Sequence, residues 1–376
     1  SERTISLSGS GSLFRVGRRV TLTLGNNVTL RGRSDNTDSL VRVNGGGTLT
    51  MNTGSKITGN TNTSNTNAGN YGFGGGIFVS YGVSVGGALV MNGGEISGNS
   101  ARSGGGVSVG HMHINEDDYV GGTFVMSGGK ISGNSAAAAN GFSDGGGVYV
   151  GYGVSVHGAF AMSGGEISGN SAQFGGGGVY VLGAFAMSGG EISGNTAAGS
   201  YGSGGGVSVG GNGAFTMENG EISGNSAQYS GGGVFISGGT LAMSDGEISG
   251  NSAQSGGGVY VSGAWYFFDD GEMSVQGTLQ GALAMSGGEI SGNTASGFYG
   301  NGGGVYVNGN GAFAKSGDST IYGSDAGDVL KNTVSGATAS GHAVYVGGSL
   351  AKIRNSTAGL GVNLDSSVDG SAGGWE

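Results

Sequence analysis

A carboxylate precedes the isoleucine of a recurring motif at Glu95, Glu166, Glu191, Glu221, Glu247 and Glu289, and Lys56 and Lys130 hold the same place in two other copies. If such positions stack about 5 Å apart in water, neighbouring carboxylates repel by only about 0.8 kcal/mol per pair, so a solvated acidic stripe is expected. Calcium bridging is the alternative, without the GGxGxDx nonapeptide of calcium-binding β-rolls in its support. A polysaccharide lyase or hydrolase would need acid and base gathered in one groove. Acids that follow a repeat read instead as a ladder. With no nucleophile-elbow, Walker or zinc pattern, the chain is read as a non-enzyme without a cofactor or metal centre.

Three further groups carry chemistry. The residue between two core valines is aromatic at Phe78, Tyr149, Tyr180, Phe235, Tyr260, Tyr306 and Tyr345, and serine at Ser108 and Ser208. Strand alternation points it outward, so the rings are expected to form an exposed ladder that either stiffens its face or offers a platform for glycan or lateral protein contact. Asparagine recurs at Asn60, Asn99, Asn134, Asn170, Asn195, Asn225, Asn251 and Asn293, as a turn-stabilising ladder would require. Two insertions complete the set: His111 and His113 beside Glu116, Asp117 and Asp118, and Trp265-Tyr266-Phe267-Phe268-Asp269-Asp270. The first reads as a polar loop with a surface metal site as alternative, the second as a sugar-binding loop or a cover for an apolar face.

The elements that must hold these residues follow from composition and repetition. Glycine supplies 94 of 376 residues, and proline and cysteine are absent. Each glycine inside a helix costs about 1 kcal/mol, which excludes a helical fold; collagen needs proline, and disulfides need cysteine. Self-comparison shows three apolar stretches in fixed order: G-[AT]-[LF]-x-M, as at Gly158–Met162; [EK]-I-[ST]-G-N, as at Glu166–Asn170; and G-G-G-[VI]-x-[VI], as at Gly176–Val181. Their apolar residues alternate with the period of a strand. Three short strands per coil and a minimal repeat of about 25 residues predict an all-β parallel β-helix, right-handed by the base rate for parallel crossovers. Glycine pairs are expected at tight corners with positive φ. Missing proline fits strands that both donate and accept ladder hydrogen bonds. Insertions fall at two corners, the longest at Ser80–Gly86, Gly110–Gly121, Ser135–Asp144 and Ser262–Gln280, while the link between Met and Ile is constant and reads as the third corner.

Residues 1–46 are read as basic capping coils, 47–314 as regular repeats, and 315–376 as degenerate coils and a cap. Residues 1–42 carry seven of the fourteen basic residues and three acids, which leaves the rest of the chain at −14. An acidic body disfavours nucleic acid and anionic membranes. No apolar run reaches the roughly 18–20 residues of a membrane span and no signal peptide is seen, so a mature or trimmed ectodomain is expected.

The pairs Ile96–Asn99, Ile131–Asn134, Ile167–Asn170, Ile192–Asn195, Ile222–Asn225, Ile248–Asn251 and Ile290–Asn293, each followed by G-G-G-[VI], resemble the F-x-x-N and G-G-A-[ILV] repeats of the chlamydial polymorphic outer membrane proteins. Ile replaces Phe and Gly replaces Ala, over roughly residues 45–310. The sequence is also similar to the wider class of glycine-rich β-helix repeat proteins of bacterial surfaces. The resemblance implies a surface-exposed β-helix, often adhesive; no catalytic residue carries over, and the membrane β-barrel that ends those proteins has no counterpart here. A secreted or cell-surface solenoid that associates with itself, through a basic N-terminal and an acidic C-terminal end, is the leading expectation. An adhesin that binds glycans or a host surface is the competing one.

Overall fold

The structure is a computed structural model. It describes residues 2–64, 72–110, 119–137, 143–151, 158–263, 280–297, 300–308, 311–324, 326–336, 341–347 and 374–375. Among them there is no helix, and all but two strand pairings are parallel, so the fold is a parallel β-helix. Equivalent residues meet coil after coil: Phe160 lies opposite Phe185, Ile167 opposite Ile192, and Val179 opposite Val207.

The strands group differently from the three stretches of the repeat. The G-[AT]-[LF]-x-M and [EK]-I-S stretches belong to one 19-stranded sheet, and in two coils they run as single ten-residue strands, Ala184–Ser193 and Ala214–Ser223. The expected third corner is therefore a bend within a sheet. At that bend Gly190 has φ +92°, and a Cβ there would lie 2.6 Å from Cε of Met162 in the preceding coil. The Met side chain packs beneath the glycine of the next coil, which is why the two residues recur together. The Ser-Ala or Thr-Ala pairs after Asn99 and its successors to Asn293, with Thr333–Ser335 after Asn332, form an eight-stranded sheet of their own, and the Val-x-Val strands form a third.

Packing explains the apolar alternation. The rings of Phe124, Phe160, Phe185 and Phe215 stack at 4.5–4.7 Å with interplanar angles of 4–8°. The Met, Ile and Val columns beside them are almost fully buried in one continuous cluster. A single coil has nothing to bury against; stacking supplies the core.

Asparagine forms a second axis. The Nδ2 of Asn36 and of every member from Asn99 to Asn293 donates to the Oδ1 of the Asn in the next coil at 2.9–3.1 Å, and from Asn99 onward Nδ2 also donates to an isoleucine carbonyl of the preceding coil, as Asn195 does to Ile167 at 2.8 Å; the Asn60 Nδ2 donates instead to the carbonyls of Asp38 and Gly75. Asn36 and Asn332 extend the row beyond the eight expected members, and all ten are at most 1% exposed. These side chains do more than hold a turn: they satisfy backbone groups at the centre of the coil, where no water reaches.

The triple-glycine tract has a reason beyond positive φ. Only its first glycine adopts that conformation, as at Gly204 (φ +70°). A Cβ on Gly205 would lie 2.4 Å from the carbonyl oxygen of Ser226 and 2.5 Å from that of Gly232, and one on Gly206 would lie 2.9 Å from Cγ2 of Ile222. The tracts hydrogen-bond to one another from coil to coil, as Gly205 N to Gly231 O at 3.1 Å. Backbone fills the space that a side chain would need.

At the basic end, among the described residues, Arg3–Ser6, Phe14–Val16 and Thr21–Leu24 each pair on one side only, with Val28–Arg31, Val41–Val43 and Thr48–Met51. Asp38 is 5% exposed and ties these coils together, accepting from Ser12, Arg15 and Arg42 at 2.7–3.0 Å. At the other end Lys315 takes the place of the core methionine opposite Met285, and burial lowers its pKa. Gly374–Trp375 adds antiparallel to Val344–Val346.

Candidate functional site

The row between the core valines reads Arg15, Arg42, Phe78, Ser108, Tyr149, Tyr180, Ser208, Phe235, Tyr260, Tyr306 and Tyr345. The rings stack as expected: Tyr149 on Tyr180 at 5.6 Å, Tyr260 on Tyr306 at 4.6 Å, Tyr306 on Tyr345 at 5.2 Å, with Phe235 tilted on Tyr260 at 5.5 Å. The guanidinium of Arg42 lies 4.8 Å over the ring of Phe78.

The expected exposure is corrected. Phe78 and Tyr149 are buried, and Tyr180, Phe235, Tyr260, Tyr306 and Tyr345 are half-buried. The neighbouring corners pack onto this face: Phe73 touches Tyr149 at 5.4 Å, and a Cβ on Gly175 would come within 3.0 Å of the Tyr180 ring. Stacking also turns each ring face toward its neighbour. A sugar ring stacks on an open aromatic face, and the stacked rings of this ladder turn theirs toward one another.

Beside the first tyrosines lies a polar group that the repeat conceals. Asp144 precedes a triple-glycine tract where neighbouring coils carry Ser103 and Gly175. It is 7% exposed, and its Oδ1 has no hydrogen-bond partner in the protein; the same holds for Oγ of Ser108 and Ser143. Burial pushes the carboxyl up to about 7, against a backbone hydrogen bond from Gly175 and the charge of Arg102. The phenols of Tyr149 and Tyr180 are raised first by burial and then by this carboxylate. A pH dependence follows. The folded chain holds the Asp144 proton up to about pH 7, whereas an unfolded chain releases it near about 4. Between these values the folded state binds the extra proton, so this contribution is greatest in acid, declines as pH rises toward 7 and then levels off. The difference is on the order of 4 kcal/mol. Urea unfolding of wild type and Asp144→Asn at pH 5 and pH 8 should show the variant gaining relative stability at pH 8; equal differences at both values would contradict the assignment.

The acidic row is in register as expected: Lys56, Glu95, Lys130, Glu166, Glu191, Glu221, Glu247 and Glu289 lie side by side. Lys56 bonds Glu95 at 2.9 Å and Lys130 bonds Glu166 at 2.7 Å. Burial alone would raise the Glu95 carboxyl, but hydrogen bonds from Ser97 and Lys56 bring it below the ordinary value; Glu166 is lowered chiefly by its bond from Lys130. The row is exposed or half-buried. Among the described residues no group of three or more His, Asp or Glu side chains is placed to hold a metal ion.

His111 and His113, and Trp265 and Tyr266, lie outside the described residues. What the repeat alignment missed is an exposed set at the corner after the Asn: Phe174, Tyr201 and Tyr229, 39%, 69% and 48% exposed, from three successive coils. Tyr201 and Tyr229 meet edge to face at 6.2 Å. The available signal was an aromatic within three residues of the triple-glycine tract in consecutive copies. Comparison with protein-family models, with curated proteins and with solved structures finds no match.

Proposed function

We propose that this chain is a secreted or cell-surface structural β-solenoid that acts by contact rather than catalysis, and that it associates with itself end to end. The observation that supports the reading is the basic end, where, among the described residues, Arg3–Ser6, Phe14–Val16 and Thr21–Leu24 each pair on one side only. Unpaired parallel edges are templates for further pairing. Exposed Arg3, Arg18 and Arg19 surround them, while residues 316–376 hold six acids and three bases. A head-to-tail contact of this kind does not close and yields filaments.

Among the described residues, Gly311–Lys315 and Thr320–Ile321 at the far end pair on one side only, and they match Thr21–Leu24 and Arg3–Ser6 in the repeat. The third row is already covered by Gly374–Trp375, so the joint rests on the other two. Electron microscopy of purified protein across salt concentrations tests this. Filaments at low salt that shorten as the Debye length falls toward about 3 Å near 1 M salt are expected; monodisperse monomers at low salt would sink the proposal.

A further inference from the structure

The aromatic corner is set apart from the rest of the surface by its chemistry. Segments 171–178, 194–206, 225–234 and 251–259 contain no Asp, Glu, Lys or Arg, in a chain of net charge −10. Phe174, Tyr201 and Tyr229 stand out from it, and Gln173, Gln228 and Gln254 are exposed beside them. The backbone beneath is held from coil to coil: Ser203 N donates to Phe174 O at 2.8 Å, Tyr229 N to Gly202 O at 2.9 Å, and Ser255 N to Tyr229 O at 3.2 Å. Tyr229 also lies near enough to Tyr260 and Tyr306 to help raise both phenols, after burial.

We infer that this corner binds an uncharged polysaccharide whose pyranose rings carry equatorial substituents, laid along the solenoid axis. Rings of this kind have a flat C–H face that stacks on an open aromatic face, and hydroxyls at the edge that pair with amides such as Gln228. Tyr201 and Tyr229 meet edge to face, so their contact takes up a face of only one of the two rings, whereas each contact in the stacked ladder takes up a face of both. Coils follow one another at about 4.8 Å, close to the length of one sugar unit, so successive coils meet successive sugars. Charge decides among occupants. A polyanionic glycan or a second copy of this chain laid side by side meets an acidic body of like sign, while a neutral polymer meets none of that repulsion.

This inference is independent of end-to-end association, which uses the strand edges at the two ends. The test is affinity gel electrophoresis of the full chain in gels containing hydroxyethylcellulose, mixed-linkage β-glucan or, as the charged comparison, alginate. At least one neutral polymer should retard the wild type. The double variant Tyr201→Ala, Tyr229→Ala should lose about tenfold in affinity, with an unchanged circular dichroism spectrum, while Tyr201→Phe, Tyr229→Phe retains most of it. The inference is overturned if neither neutral polymer retards the wild type, if alginate alone does, or if the alanine variant is retarded as strongly as the wild type. It is overturned equally if the alanine substitutions change only the sedimentation coefficient, which would make the corner a contact between copies.

Discussion

Replacing Asn195 by alanine is expected to cost about 4 kcal/mol or more, a loss that a polar-to-alanine change at the surface does not produce. The Asn195 Oδ1 accepts from the backbone N–H of Asn170 at 3.0 Å and from its Nδ2 at 2.9 Å. The Asn195 Nδ2 donates to Ile167 O at 2.8 Å and to Asn225 Oδ1 at 3.0 Å. Alanine removes all four bonds at once and strands donors and an acceptor where water has no access, each at roughly 1–3 kcal/mol. Asn219 gives the control: it is exposed, and among the described residues its side chain bonds the adjacent Gly220 N–H alone, so Asn219→Ala should cost less than about 1 kcal/mol. Urea unfolding followed by circular dichroism measures both. Equal costs would mean that the buried row is not what holds consecutive coils together.

The second large effect separates two uses of glycine. Gly194 has φ +59° and open space around its missing Cβ, so Gly194→Ala pays only for backbone conformation, about 1 kcal/mol. Gly205 lacks that φ, yet its Cβ would sit 2.4–2.6 Å from backbone atoms of Ser226 and Gly232. No side chain is there to move aside, so Gly205→Ala must push neighbouring coils apart at a cost above about 3 kcal/mol. Thermal unfolding of the two variants compares them directly. A smaller loss for Gly205→Ala would show that the tract serves only as a turn.

These cases also mark how far the residues alone reach. Period-two alternation around Phe185, Met187, Ile192 and Val207 states the strand, the core face and the stacking, and the structure has them all. The bend at Gly190 reads as a corner because a glycine pair at constant spacing looks the same whether the chain turns into a new sheet or kinks within one. Asn36 and Asn332 escape because Arg33-Ser34-Asp35 and a longer link after Ile321 replace the expected motif. Only the coil-to-coil hydrogen bonds identify them.

The candidate site was less legible. Outward orientation of Tyr149 follows from alternation, but its burial depends on Phe73 and on corner segments of variable length, which no periodicity encodes. Asp144 is one acid at a position where other coils carry Ser103, Gly175 or Ser203, and nothing in its own neighbours announces that it is enclosed. Phe174 and Tyr229 directly precede the residue that pairs between coils, whereas Tyr201 lies one position earlier. Alignment by motif therefore scatters three side chains that the coils bring together.

The core, the asparagine row and the aromatic corner all require coils stacked in this order, and the absence of cysteine from the sequence allows that order to be measured directly. Lys56 and Glu289 are seven register steps apart along one row, and Lys56 and Glu191 are four. Spin labels on Lys56→Cys with Glu289→Cys, and on Lys56→Cys with Glu191→Cys, report these separations by double electron–electron resonance. At about 4.8 Å per step the expected backbone separations are about 34 Å and about 19 Å, with narrow distributions whose difference equals three coils. Broad distributions, or two distances that do not differ by about 14 Å, would contradict the stacked, in-register solenoid.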